Sequence, residues 1–151
     1  MDFAIVFIAK YFYLLAIAIA AVLFFVQQRK TQRSMIVCGA IVAPLAYVIS
    51  RIASHFYYNP RPFVVGHFIP LMAHAADNGF PSDHVLLVGA IAMIIWFYDR
   101  KISAALWLIA LLIGWARVAS GIHHAADIAG SIVIVLFSGV VYYLAARQWR
   151  L

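Results

Sequence analysis

His123 and Asp127 stand four residues apart, the spacing that brings two side chains onto one face of a helix. A carboxylate so placed accepts from one imidazole nitrogen, fixes the tautomer and leaves the other nitrogen free to attack. Arg117 lies six residues before His123, near enough in the chain to return its guanidinium to the same spot. Its planar fork of donors suits phosphate oxygens. Arg61 offers a second fork, and Pro60 and Pro62 hold its backbone stiff. Ser82 reads as the N-cap of a helix whose first N–H groups form an anion site. His84 falls in that first turn, placed to give a proton to a leaving oxygen. These residues make a minimum set for in-line phosphoryl transfer through a phosphohistidine, with no metal and no other cofactor expected.

The elements that must position them are membrane helices. Of the 151 residues 67% are hydrophobic and only 11% charged, with a mean hydropathy of +0.99, which leaves no polar surface for water. Spanning helices satisfy every backbone polar group internally, so the expected architecture is all-α: a polytopic helix bundle forming one domain over residues 1–151. Five apolar segments can be marked, over Phe3–Val26, Met35–Ala53 with a kink at Pro44, Val85–Tyr98 extended back to Pro81-Ser82, Ile102–Val118 and Ala125–Ala146. The third and fourth are short for a core about 30 Å thick, so their polar ends sit near or inside the interface. The first ends in Gln27-Gln28-Arg29-Lys30 rather than a small-residue cleavage site, and reads as a retained span, not a signal peptide.

The net charge of +6 comes without a basic stripe or an RNA-reading motif, so no nucleic-acid partner is expected. The basic residues mark topology instead. Arg29, Lys30, Arg33, Arg100, Lys101, Arg147 and Arg150 fall on one side of a five-span chain, assigned to the cytoplasm. The N-terminus, the long Ser54–His84 connection and the Ala119–His124 connection then face outward, and with them all six histidines. At this length the first of those connections is functional rather than a turn, and its aromatics, Pro and His predict order. Cys38 lies in an apolar run and reads as ordinary helix packing. The triplet Tyr11-Phe12-Tyr13 reads as an interfacial aromatic belt.

Arg61-Pro62, Pro81-Ser82-x-His84 and Arg117-x5-His123-x3-Asp127 resemble the three motifs of the type 2 phosphatidic acid phosphatase superfamily, over roughly residues 50–130. Pro60-Arg61-Pro62-Phe63, His74-Ala75-Ala76-Asp77 and Phe80-Pro81-Ser82-Asp83-His84 are more similar to the bacterial undecaprenyl-diphosphatases linked to bacitracin resistance. The resemblance implies His123 as nucleophile, Asp127 as its partner, His84 as general acid, and Arg61, Ser82 and Arg117 as phosphate ligands. The implied substrate is a lipid phosphate, undecaprenyl diphosphate first, then phosphatidylglycerophosphate, phosphatidate or another lipid phosphate. The chain departs from the family pattern at three positions. Ser54 stands where the first motif has Lys, Asp83 where the second has Gly, and Ala116 where the third has Ser. Arg51, one helical turn before Ser54, is a candidate to restore the missing charge, and Asp83 is counted with the substrate-binding residues.

Plainer readings stand beside these. His55, His67 and His124 read as helix-packing hydrogen bonders, His74 and Asp77 as either structural or headgroup-binding, and Arg51 as an alternative snorkelling residue. A rival class is a metal site or transporter built on His123, His124, Asp127, His74 and Asp77. Adjacent residues on a helix point about 100° apart, which argues against His123 and His124 serving one ion. A non-catalytic assembly factor would leave the whole constellation unexplained.

Overall fold

Long apolar stretches in lipid satisfy their backbone groups as helices. The computed structural model, which describes residues 2–149, has six: α1 Asp2–Val26, α2 Arg29–Phe56, α3 Pro62–Val65, α4 Asp83–Trp96, α5 Arg100–Ala119 and α6 Ala125–Trp149. Four of them, α1, α2, α5 and α6, are long and apolar enough to cross a membrane. Their outward faces carry large apolar side chains such as Phe25, Leu108 and Val133, each more than 60% exposed, as lipid-facing residues must be. The chain is a multi-pass helix bundle.

The sequence-based boundaries need two corrections. α2 begins at Arg29, so Arg29, Lys30 and Arg33 lie on its first turns and only Gln27 and Gln28 link it to α1. The polar opening of α2 hides this helical start from a search for apolar runs. α5 has 20 residues, about 30 Å at 1.5 Å per residue, and is not short. Pro44 lies inside α2, which continues on both sides of it. Arg150, counted above with the cytoplasmic charges, lies outside the described residues.

α4 is the exception in length. Its 14 residues reach about 21 Å, less than the hydrocarbon core. It is also the central helix, packed against α1, α2, α5 and α6. It carries a buried apolar stripe of Val85, Val88, Ala92 and Ile95 and buried Leu86 and Ala90 beside it, while Leu87 and Trp96 stay exposed. Small residues allow the neighbours to close in: Ala9 of α1 and Ala116 of α5 are both fully buried at their contact. Hydroxyls add bonds across the bundle, Ser103 Oγ donating to Ala92 O over 2.7 Å and Ser131 Oγ to Ser82 O over 3.0 Å. Residues 57–82, which contain α3 and a bridge between Pro60 and Asn78, form a cover that joins α2 to α4. The end of α2, the cover, the start of α4, the end of α5 and the start of α6 thus meet at one end of the bundle.

Candidate active site

Asp127 is fully buried in the first turn of α6, and three donors hold its carboxylate. His123 Nδ1 lies 3.2 Å from Oδ2, the backbone N–H of His124 donates to Oδ2 over 2.8 Å, and Asn59 Nδ2 donates to Oδ1 over 2.7 Å. The bond from His124 is half of a capping box, with the third helical residue reaching back to the N-cap. One carboxylate therefore starts α6 and orients the histidine. The expectation that His123 and Asp127 share a helix face is corrected: α6 begins at Ala125, and His123 precedes it in the connection from α5. The chain turns there at Gly121, whose φ of +77° suits glycine. This turn aims Arg117, on the last turn of α5, and His123 at the same cavity.

His123 is 2% exposed. Burial pushes its imidazole below the ordinary value, the Asp127 hydrogen bond opposes this, and the Arg117 and Arg61 charges reinforce it. The ring is therefore neutral near pH 7, with a proton on Nδ1 toward Asp127 and a lone pair on Nε2. Arg61 Nη1 is 3.3 Å from that Nε2 and donates to Ile122 O over 2.8 Å. Its Nε pairs with Asp77 Oδ1 at 2.7 Å. Burial raises the Asp77 carboxyl, but the Arg61 hydrogen bond and charge outweigh this and hold it below the usual carboxylate range. Arg61 is thus a buried cation fixed on three sides against the His123 imidazole.

Arg117 is 3% exposed; its Nη1 donates to Ala9 O of α1 over 3.2 Å, and its Nη2 is 3.5 Å from His74 Nε2. His74 lies below the ordinary imidazole value through burial and the charge of Arg61, with Arg117 adding to it. It is a neutral neighbour for the guanidinium. The two buried side-chain polar atoms without a partner among the described residues are Arg117 Nε and Ser82 Oγ. Ser82 takes the N-cap position of α4 as expected, but its hydroxyl makes no capping bond. Orphaned buried donors call for an explanation, and an anion between these two residues supplies one.

Arg61, Arg117, His74, His84 and His123 line one cavity of about 550 Å³, with Asp77 and Asp83 also on its wall. Ser54, Arg51 and His55 line its α2 side. Of the expected site residues, Ser82 and Asp127 do not line it: Ser82 is buried at the start of α4, and Asp127 is buried against His123. Asp83 is exposed and makes no hydrogen bond among the described residues, and Arg51 likewise offers an unpaired guanidinium. His55 joins the cavity wall rather than packing between helices, whereas His67 stays exposed outside it. His124 has the structural role expected of it, its ring nitrogen 3.1 Å from Pro60 O. Among the described residues no group of three or more His, Cys, Asp or Glu side chains could hold a metal ion.

Three contributors were not legible from the sequence. Asn59 binds the Asp127 carboxylate. Asn78 binds the loop that carries Asn59: its Oδ1 accepts from Asn59 N and Phe80 N at 2.9 and 3.0 Å, and its Nδ2 donates to Ser54 O and Tyr57 O. Tyr13, read as part of an aromatic belt, packs edge-on against His84 with ring centroids 5.1 Å apart. The only signal for the asparagines was their place beside motif residues, Asn59 two before Arg61 and Asn78 two before Phe80. Tyr13 had none, because its contact spans seventy residues of chain.

The comparisons fit this geometry. Undecaprenyl-diphosphatase BcrC of Bacillus subtilis (strain 168) is 32% identical over 143 residues, covering 95% of this chain and 74% of the relative. The bacitracin transport permease protein BcrC of Bacillus licheniformis is 30% identical over 93% of this chain and 70% of that protein. The crystal structure of Aquifex aeolicus LpxE superposes with a TM-score of 0.72 at 22% identity, over 94% of this chain and 84% of that one, which shows a shared fold. The family model described as the PAP2 superfamily matches residues 34–150. The chain belongs to the PAP2 superfamily and is an enzyme of the phosphatase class.

Proposed function

We propose that this enzyme removes a phosphate from a membrane lipid at the outer face of the membrane, through a phosphohistidine on His123, and that its substrate is undecaprenyl diphosphate. The observation that carries the reading is the neutral, Asp127-bound imidazole of His123 set among Arg61, Arg117 and the orphaned hydroxyl of Ser82. A phosphate entering the cavity takes over hydrogen bonds from Arg61, Arg117 and Ser82, and releases the Nε2 lone pair from Arg61. Nε2 attacks phosphorus, and the bond from phosphorus to the bridging oxygen breaks. His84, whose imidazole burial and the Arg117 charge hold down at about 4, takes up a proton as the phosphate anion binds beside it and gives that proton to the departing oxygen. Asp127 stabilises the positive imidazole that forms. Water then attacks the phosphohistidine, giving its proton to His84, and inorganic phosphate leaves. Both halves use positioning and fixed charge, the usual means of phosphoryl transfer.

A lipid substrate is supported by an apolar groove between α2 and α4 that shares Arg51 and Asp83 with the phosphate cavity. The undecaprenyl-diphosphatase name of the Bacillus subtilis relative supports the choice of lipid. The basic turns at the opposite end of the bundle support an outward-facing site. A transporter reading, which the permease name of the other relative raises, leaves the buried arginines beside a neutral histidine without a task. The test is rapid quenching of turnover on terminally labelled undecaprenyl diphosphate into alkaline denaturant, where a phosphorus–nitrogen bond survives, in EDTA throughout. Label should map to His123 and be absent from His123→Ala. Label on another residue, or full activity in His123→Ala, sinks the mechanism. Turnover of phosphatidate or phosphatidylglycerophosphate in preference to the diphosphate sinks the substrate assignment.

A further inference from the structure

Among the described residues Arg51 is the one cation that lines both the phosphate cavity and the apolar groove between α2 and α4. The groove, about 430 Å³, is walled by Ala43, Ala46, Leu86, Leu87 and Ala90, side chains suited to hydrocarbon. A lipid with its reacting phosphate at His123 and its chain in this groove must pass Arg51. Whatever group joins phosphate to chain therefore sits against that guanidinium. For a monoester it is an uncharged oxygen and a glycerol backbone; for a diphosphate it is a second phosphate.

We infer that Arg51, with His55 one turn later on α2, forms a separate subsite for the inner phosphate of a diphosphate lipid and so makes the enzyme favour diphosphates over monoesters. This rests on the lipid-phosphatase reading above. Three features support it. Arg61 and Arg117 are buried and already bonded to Asp77, Ile122 O and Ala9 O, so they are fixed at the reacting phosphate. Arg51 is exposed to the cavity, and its guanidinium has no partner among the described residues. Ser54, which stands where the resemblance calls for a lysine, turns its hydroxyl to Arg51 O over 2.9 Å, leaving Arg51 and His55 as the basic residues of that wall. Asp83 faces the same mouth from α4, so an anion held there depends on the Arg51 charge to offset a carboxylate.

The subsite also sorts the chemistry. A phosphate held by Arg51 is the leaving group in the attack at His123, and the guanidinium neutralises the charge that develops on it. Arg51 thus acts on the transition state of the anhydride and has no equivalent task with an ester.

The experiment compares inorganic phosphate with methylenediphosphonate, a diphosphate that cannot be cleaved, as competitive inhibitors of aryl phosphate hydrolysis by the full-length enzyme in detergent. Wild type should bind the diphosphonate more tightly than phosphate. Arg51→Ala should erase that advantage, a loss of roughly tenfold to a hundredfold for one charge-assisted contact. Arg51→Gln, which keeps bulk and polarity, should lose it too, and Arg51→Lys should keep part of it. The ratio of kcat/KM for polyprenyl diphosphate to that for phosphatidate should fall by a similar factor. Equal weakening of both inhibitors would make Arg51 a general phosphate ligand and overturn the inference, as would no change in either. If wild type fails to hydrolyse the polyprenyl diphosphate, the substrate assignment falls, and the inhibitor comparison still decides the subsite.

Discussion

The amide of Asn59 donates to Asp127 Oδ1 across 2.7 Å, and so joins the segment that carries Arg61 to the carboxylate that orients His123. Arg61 and His123, the proposed phosphate ligand and nucleophile, are thereby built on one hydrogen-bonded frame, with Asn78 holding Asn59 from behind. Gly79 lets the frame close, since a Cβ there would lie 3.0 Å from Asp127 Oδ2 and 3.2 Å from Asn59 O.

Removing that amide should misorient the nucleophile. Asn59→Ala leaves a buried carboxylate oxygen without its donor, at a cost of about 1–3 kcal/mol. The expected result is a kcat lowered roughly tenfold to a hundredfold with KM nearly unchanged. Asn59→Asp, which sets a second carboxylate against the first, should be worse. Steady-state kinetics on the three proteins check this, and an unchanged kcat in Asn59→Ala would remove Asn59 from the frame.

The acid role of His84 predicts a dependence on the leaving group. His84→Ala should cost about 10²–10⁴-fold on an ester with a poor leaving group. The deficit should shrink for an aryl phosphate, whose departing oxygen needs little protonation. A constant deficit across a series of leaving groups would assign His84 to binding alone.

The pH profile has a definite sign. His123 attacks only when neutral, and burial with the Arg117 and Arg61 charges lowers its pKa beneath the ordinary imidazole value. Activity should therefore persist below about pH 6.5 before the acid limb sets in. Asp127 opposes that lowering, so Asp127→Asn should move the limb to still lower pH while cutting the rate. A limb that moves upward in Asp127→Asn would contradict the proposed pairing.

Sidedness can be read with cysteines in a Cys38→Ser background. Ile69, 94% exposed in the cover, and Lys30, exposed at the start of α2, lie at opposite ends of the bundle. An impermeant maleimide should label Ile69→Cys in intact cells and leave Lys30→Cys unlabelled until the cells are opened. Asn78 is unsuitable as a probe position because its side chain makes four hydrogen bonds inside the cover. The reverse labelling pattern would turn the site to the cytoplasm.

Much of this molecule follows from its sequence. Apolar length and sparse charge determine a helical membrane bundle, because lipid offers backbone groups no other partner. The types and spacing of Arg61, Ser82, His84, Arg117, His123 and Asp127 carry the resemblance to the PAP2 superfamily, to which the family model assigns the chain. Local spacing already set Asp127 within reach of His123. Tertiary structure decided the rest. It placed His123 outside the helix, where a turn at Gly121 aims it at Arg117, and it left Ser82 Oγ without the capping bond its position suggested. It brought Asn59 to Asp127 across sixty-eight residues, Tyr13 to His84, and Arg51 to the junction of two cavities. Periodicity and spacing report neighbours within a few turns of one helix. The cover and the four helices around α4 supply partners whose nearness depends on how the elements pack.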